Sequence, residues 1–450
     1  MFSPSLCTLL LTLFLNASAY ASPISLPGLT STPPSAISSP ALPGSGSLAP
    51  ASRMVLPLAK RYNNTGSANV VKFDQARAKA IRARTRQNGG SSAVEYAATS
   101  DQPFDEQATS KAVTYTVTHA MLNYSSSDQL VVDTGSSTTW VGAEKPFVPS
   151  TTTQYTGDGV AVEYGSGAFT GKPWPCYIGL EVLDTITLAN GLTLTNQSIG
   201  TALAAKGFDG FDGILGIGPW DLTCGSFPTD LDKCVPTVTD NAWVAGFLDK
   251  YEIGISFRPS QQMEQINGEL TYGDVDRIKY KGYIRYVPMT TAPRASEYVG
   301  YDQSITYGDQ GIILDTSSGI LDTGTTLILI ATDAFQRYQD QTGGVQDEDT
   351  GLLRITEEQY GNLQDLYFNI GGVQYALIPN AQIWPRALNE AIGGTSDGIY
   401  LIVSDLGSMS GDGLDFINGM SFLERFYAVY DIGNSRVGLA ETAYTHAECN

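Results

Sequence analysis

Two stretches of the chain repeat one pattern of side chains able to do acid–base chemistry. Val131-Val132-Asp133-Thr134-Gly135-Ser136-Ser137 and Ile320-Leu321-Asp322-Thr323-Gly324-Thr325-Thr326 both read apolar, apolar, Asp, Thr, Gly, hydroxyl, hydroxyl. The apolar residues predict a strand that delivers each Asp to a tight turn. Gly lets the backbone approach substrate or partner chain there, and the Thr and Ser hydroxyls are expected to donate to the carboxylate. A single Asp-Thr-Gly is an ordinary turn or Asx motif; two copies on apolar strands are a constellation. If they meet, two carboxylates about 3 Å apart cannot both ionise, so they share one proton. The ionised member then activates a water, and the protonated one serves a carbonyl oxygen or leaving amine. Leu314-Asp315-Thr316-Ser317-Ser318 mimics the motif without the Gly, so Asp315 is expected on a surface turn.

The elements around the motifs repeat as well. Phe211-Asp212-Gly213-Ile214-Leu215-Gly216 follows the first Asp and Phe416-Ile417-Asn418-Gly419 follows the second, an apolar strand ending in Gly each time. In 450 residues, 42% hydrophobic and 16% charged, 47 Gly and 24 Tyr favour short strands and tight turns, so the expected class is all-β with two domains of ordinary size. With only two histidines, His119 and His446, a Ser-His or Cys-His nucleophile and a His-rich metal site are weak readings. No metal-ligand spacing appears, and no metal or organic cofactor is expected. A net charge of −20 and a pI near 4.4 argue against nucleic acid and anionic lipid as partners.

The first 110 residues read as processing segments. Leu6 to Leu15 is apolar but too short to span a bilayer, and Ala19-Tyr20-Ala21 is a small-x-small cleavage pattern, so 1–21 is expected to be a secretory signal peptide. Residues 22–110 are assigned to a propeptide. Ser22 to Pro50 is rich in Ser, Pro, Gly and Ala, whereas Arg53 to Arg86 holds nine bases against one acid, Asp74. Residues 111–450 carry 17 bases against 41 acids, which suits docking of a basic prosegment. The stretch from Asp74 to Arg84 reads as helix, and Arg77, Lys79 or Arg82 is expected to lie against the ionised Asp pair. Lys60-Arg61 is a candidate dibasic processing point. In an oxidising compartment Cys224 and Cys234, bracketing a polar loop, are expected to pair; Cys176 and Cys449 are left unpaired or mutually paired.

Over roughly residues 111 to 450 the chain resembles the pepsin-type aspartic proteases, and within them the secreted basidiomycete polyporopepsin group. Beside the two Asp-Thr-Gly motifs, the similarity is carried by Trp140, by Val162-Glu163-Tyr164-Gly165-Ser166-Gly167, and by Phe422 to Asp431 followed by Arg436-Val437-Gly438-Leu439-Ala440. Asn380 to Pro385 and Leu401 to Asp405 are similar to the polyporopepsin group in particular. The resemblance implies a bilobal fold, two related antiparallel β lobes (111–252 and 253–450) with the active-site cleft between them. It also implies Asp133 and Asp322 as catalytic pair with Ser136 and Thr325 supporting. Gly135, Gly324 and Thr326 would bind substrate backbone, and Tyr164, on a flap hairpin, would line a side-chain pocket with Phe211 and Ile214. The implied protein is a secreted, monomeric zymogen of an endopeptidase acting on polypeptides at acidic pH.

Two departures stand out. The hairpin before the first motif, Tyr115 to Asp128, has no Gly or Pro at its turn, and Lys172 to Leu180 interrupts the strand that returns from the flap. Pro173 and Pro175 cannot donate ladder hydrogen bonds, so 172–180 is a surface bulge, a modified flap or translated intron. That stretch also keeps open a pepsin-fold binding or inhibitor protein of impaired activity.

Overall fold

A computed structural model describes residues 53–62, 69–84, 113–122, 128–163, 176–188, 193–205, 208, 210–309 and 311–450, all in one compact unit. The expected signal peptide, Ser22 to Pro50, Tyr164, Pro173 and Pro175 lie outside the described residues.

Strands dominate, as the composition predicts. The first half contributes β1 (Met54–Tyr62), β2 (Val113–Leu122), β3 (Asp128–Asp133), β4 (Trp140–Val141), β5 (Gln154–Glu163), β6 (Cys176–Thr187), β7 (Thr193–Ala204) and β8 (Gly213–Gly216). The second half begins with β9 (Glu252–Ser256), β10 (Glu264–Tyr272), β11 (Arg285–Pro288), β12 (Gly300–Tyr307), β13 (Gly311–Leu321) and β14 (Ile328–Ile330). A small sheet follows, of β15 (Val345–Gln346), β16 (Leu353–Ile355) and, later, β19 (Ile399–Leu401). The others are β17 (Leu366–Ile370), β18 (Val373–Leu377), β20 (Val403–Asp405), β21 (Phe416–Asn418), β22 (Phe426–Asp431) and β23 (Arg436–Glu441).

A 13-stranded sheet runs β11-β23-β22-β9-β10-β1-β2-β3-β8-β4-β7-β6-β5, and a 7-stranded sheet runs β18-β17-β12-β13-β21-β14-β20. The duplication read from the motifs extends to topology. In the first copy β3 lies parallel to β8, β8 antiparallel to β4, and β4 parallel to β7. In the second, β13, β21, β14 and β20 repeat the same directions. Each Asp strand is thus clamped by its Gly strand, with Asp133 opposite Gly216 and Leu321 opposite Asn418. A Cβ on Gly216 would overlap the Ser137 backbone, and one on Gly419 would lie 2.5 Å from the Thr325 carbonyl oxygen, so a side chain at either place would push the motif loop out of position. Val132, Leu215, Ile320, Leu321 and Ile417 beneath the loops are fully buried, each contributing about 1.5–3 kcal/mol by leaving water.

β1, from the expected propeptide, is an interior strand of the large sheet, paired with β10 on one side and β2 on the other. Lys60 is buried with its Nζ 2.5 Å from Glu424 Oε1, and Arg61 pairs with Glu264. Lys60-Arg61 is therefore no exposed processing loop: both backbone edges are engaged, and cleavage there requires β1 to leave the sheet.

Two expectations need correction. Asp315 is exposed, but it stands in β13 and not on a turn. Between the pairs Ile305 with Leu314 and Gln303 with Ser317, two β13 residues face one of β12, and this bulge holds Asp315. Second, Cys176 to Leu180, half of the supposed interruption, is strand, paired from Cys176 with Glu163 to Leu180 with Gly159 and joined to β7 from Ile178 onward, with a bulge between Ile178 and Gly179. The Cys224–Cys234 bridge forms as expected, Cys449 is a free thiol, in line with the unpaired alternative, and the Cys176 side chain lies outside the described residues.

Candidate active site

Asp133 ends β3 and Asp322 follows β13, and both carboxylates are fully buried. Ser136 Oγ donates to Asp133 Oδ2 at 2.5 Å and Thr325 Oγ1 to Asp322 Oδ2 at 2.6 Å. Gly135 N–H donates to Asp133 Oδ1 at 2.9 Å and Gly324 N–H to Asp322 Oδ1 at 3.0 Å. Each carboxylate is thus oriented by one hydroxyl and one amide of its own turn, the roles expected of Ser136 and Thr325.

The two threonines do something else. Thr134 N–H donates to Thr323 Oγ1 and Thr323 N–H to Thr134 Oγ1, both at 2.9 Å. Each hydroxyl then crosses to the other strand, Thr134 to the Leu321 carbonyl at 3.1 Å and Thr323 to the Val132 carbonyl at 2.9 Å. The expectation that every motif hydroxyl holds a carboxylate is corrected: Thr134 and Thr323 tie the two loops together. A hydroxyl donates one hydrogen and accepts others, so one threonine satisfies an amide and a carbonyl of the opposite loop at once. This exchange brings the aspartates face to face.

A basic side chain lies across them. Helix α1 (Val70–Ala83) is capped by Asn69, whose side chain accepts from Lys72 N–H, and it buries Val70, Val71, Asp74, Arg77, Ala78 and Ile81, one helical stripe. Of the three bases proposed from sequence, Arg77 reaches the pair, Lys79 is exposed and Arg82 pairs with Asp412. Arg77 Nε donates to Asp322 Oδ2 at 2.7 Å, while Nη2 donates to Asp322 Oδ1 at 2.9 Å and Asp133 Oδ1 at 2.5 Å. A Cβ on Gly324 would lie 2.5 Å from Arg77 Nη2, and one on Gly135 would overlap the same nitrogen. Glycine at both positions is what allows a group to sit this close to the aspartates.

Burial pushes the Asp133 carboxyl above its ordinary range. Burial acts on Asp322 in the same sense, but the charge of Arg77 and its two bonds outweigh it and hold Asp322 below that range. The pair therefore divides its roles while α1 is docked, with Asp322 the more readily ionised. Burial alone would lower the pKa of Arg77, yet two adjacent carboxylates raise it, and the guanidinium stays charged.

The Thr326 amide is taken by a carboxylate of α1. Asp74 Oδ2 accepts from Thr326 N–H at 3.1 Å and Leu327 N–H at 2.8 Å. Asp74 is fully buried, and burial pushes it up to about 7. Sequence reasoning noted Asp74 only as the one acid in a basic stretch; the signal was its position three residues before Arg77 on one helical face. On the far side of the pair, Tyr298 hydroxyl donates to the Ile81 carbonyl at 3.1 Å and Arg294 to the Arg82 carbonyl. Neither lies in a motif.

Phe211 and Ile214 lie in an apolar cluster with Val131, Trp140, Val160, Val162, Phe208 and Phe227, directly under the first loop. Trp140 is fully buried, its ring edge-on to Phe208 at 4.7 Å. Among the described residues no group of acids, histidines and cysteines could hold a metal ion, and no helix is long and apolar enough to cross a membrane.

Comparison with known proteins agrees with this geometry. The profile of the family described as eukaryotic aspartyl protease matches residues 125–442. The chain is 51% identical to polyporopepsin of Irpex lacteus over 343 residues, covering 76% of this chain and 98% of that one. It is 28% identical to pepsin A of Bos taurus over 335 residues, covering 70% and 80%. The crystal structure of an aspartic proteinase from Irpex lacteus superposes with a TM-score of 0.72 at 51% identity, covering 75% of this chain and 96% of that chain. Two related β halves, each bringing one Asp-Thr-Gly turn to a shared site, and a match over most of the chain make this protein a member of the pepsin-type aspartic protease family and an aspartic endopeptidase.

Proposed function

We propose that Asp133 and Asp322 are the catalytic pair of a secreted endopeptidase, made as a zymogen and active at acidic pH on extended polypeptides. The observation that carries this reading is Arg77 bonded to both carboxylates at once: a pair that attracts and orders a cation so closely is poised to hold a water in its place. With α1 gone, the ionised carboxylate takes a proton from that water as its oxygen attacks the peptide carbonyl, and the protonated carboxyl donates to the carbonyl oxygen. Collapse of the tetrahedral intermediate breaks the C–N bond, and the nitrogen leaves with a proton from the pair. Gly135, Gly324 and Thr326 present the backbone to substrate, with Phe211, Ile214 and Tyr164 forming a largely apolar pocket.

In this reading residues 1–21 are a signal peptide and 22–110 a propeptide that blocks the site through α1 and supplies β1. The lobes 111–252 and 253–450 form the mature monomer, which needs no cofactor and binds neither nucleic acid nor membrane. The nine bases of Arg53 to Arg86 support docking onto the acidic remainder. Incubating purified full-length protein at about pH 3, on the acid side of the ordinary Asp value near 3.9, tests this. The expected result is a mass shift to a form beginning between about Gln87 and Lys111, with cleavage of a denatured globular protein that a statine-type inhibitor stops. Cleavage indifferent to the inhibitor, or none after the shift, would overturn the reading.

A further inference from the structure

Position 82 of α1 is held at the rim of the site by both its side chain and its main chain. Arg82 Nη2 lies 3.0 Å from Asp412 Oδ2. Arg294 donates to the Arg82 carbonyl, and its Nε lies 3.4 Å from Asp412 Oδ1. One residue earlier, the Ile81 carbonyl accepts from Tyr298.

The rim is fixed independently of α1. Asp412 N–H donates to Asp415 Oδ1 at 3.2 Å and Gly411 N–H to Asp415 Oδ2 at 2.8 Å. Ser410 gives both its N–H and its hydroxyl to Asp333, each at 2.9 Å. The Gly413 carbonyl accepts from Ala295 N–H at 3.2 Å, which ties this loop to the one carrying Arg294. Arg294 itself sits at φ 72°, ψ −61°, a region that costs a non-glycine residue on the order of 1–3 kcal/mol and recurs at ligand clamps. Two loops, one of them strained, thus place a carboxylate and a guanidinium side by side at the mouth of the site.

We propose that Asp412 and Arg294 are specificity-determining residues of the mature enzyme. Asp412 takes a Lys or Arg side chain of the polypeptide substrate, and Arg294 takes the main-chain carbonyl of that same residue. Arg82 occupies this place while α1 is docked. The inference rests on the peptidase reading of Asp133 and Asp322. Along α1, Asp74 meets Thr326 on one side of the pair, Arg77 covers it, and Arg82 lies on the other. Five helical residues from Arg77 to Arg82 rise roughly 7.5 Å, a distance an extended substrate covers in about two residues. The selected basic residue therefore stands about two positions from the cut bond, on the side of Tyr298.

Arg82 and Asp412 are partly open to water, at 24% and 38% exposure, so the preference is modest and sensitive to salt. The test uses acid-matured enzyme and fluorogenic octapeptides identical except for Lys, Gln or Glu at the second residue on either side of the cut bond. The assay runs at pH 5. Wild type is expected to cleave the Lys peptide about two- to fivefold faster than the Gln peptide in kcat/KM, at one of the two positions only, with the ratio shrinking in high salt. Asp412→Asn should bring the ratio near one, and Asp412→Lys should invert it toward Glu. Each ratio is taken within one protein, so a general loss of activity in a variant does not mimic the result. Equal cleavage of all three peptides at both positions by wild type, or a ratio unchanged in Asp412→Asn, overturns the assignment of Asp412. Failure of wild type to cleave any peptide overturns instead the peptidase reading beneath it.

Discussion

Arg77 meets Asp322 through two nitrogens and Asp133 through one, so the guanidinium fork is matched to the second carboxylate and gives the first a single short bond. A planar fork suits such bidentate pairing, whereas an ammonium acts as a point charge. Breaking a buried pair by removing one partner costs about 3–5 kcal/mol, more than a hundredfold in the docked population. Full-length Arg77→Gln protein is therefore expected to cleave peptides at pH 5 without prior treatment in stronger acid, while Lys79→Gln, at an exposed position, stays latent like wild type. A latent Arg77→Gln would show that α1 blocks by bulk alone.

The symmetric threonine exchange and the asymmetric Arg77 contact predict different things for the two aspartates. Asp133→Asn and Asp322→Asn should each reduce kcat after maturation by a thousandfold or more, because either removes the shared proton while nearly preserving shape. Asp322→Asn, which loses the partner of two Arg77 nitrogens, should also loosen latency more than Asp133→Asn. Asp315→Asn, on an exposed bulge, should leave kcat within about twofold of wild type. Peptide hydrolysis by the three variants checks turnover and hydrogen-exchange protection of residues 70–83 checks latency; near-normal turnover by Asp322→Asn would overturn the assignment.

The Cys224–Cys234 bridge closes a loop already held at its base, where Thr223 hydroxyl donates to the Val235 carbonyl at 2.9 Å and accepts from Val235 N–H at 2.8 Å. A crosslink spanning 10 positions contributes about 2–3 kcal/mol through the unfolded chain. The double variant Cys224→Ser, Cys234→Ser should melt several degrees lower in calorimetry. Free-thiol labelling of both cysteines in the wild type would contradict the pairing.

Motifs were legible in the sequence where one residue type has one workable place. Asp-Thr-Gly on an apolar strand, duplicated with its Gly-ended partner strand, gave both carboxylates, Ser136, Thr325 and the close approach at Gly216 and Gly419. The crossing of Thr134 and Thr323 was not legible, since a hydroxyl beside a carboxylate has two plausible partners and only the meeting of the loops decides between them. Asp74, Arg294, Tyr298 and Asp412 went unread for a related reason: each acts on a segment far away in sequence, and nothing local marks it. Asp315 and Cys176 to Leu180 were misread because a bulge and a strand entry both depend on the neighbouring strand.

Asp74 and Asp322 set opposing pH dependences for the docking of α1, and this supplies the last prediction. Asp322 is held below its ordinary value when docked, so its contribution is present above about pH 4 and lost as pH falls. Asp74 is raised to about 7 by burial, so its contribution is fully present below its free value near 4 and is lost as pH rises through 7. Docking by these two groups is then tightest between about pH 4 and 5, weaker toward neutral pH because Asp74 must be buried charged, and weaker in strong acid because the Arg77 pairing is lost. Asp74→Asn keeps an acceptor for Thr326 and Leu327 N–H without the charge. Hydrogen-exchange protection of residues 70–83, corrected for intrinsic rates, should fall from pH 5 to pH 8 in wild type by about tenfold or more and stay nearly level in Asp74→Asn. Protection falling equally in both proteins would remove Asp74 from the pH response and leave the Asp133 and Asp322 pair as its source.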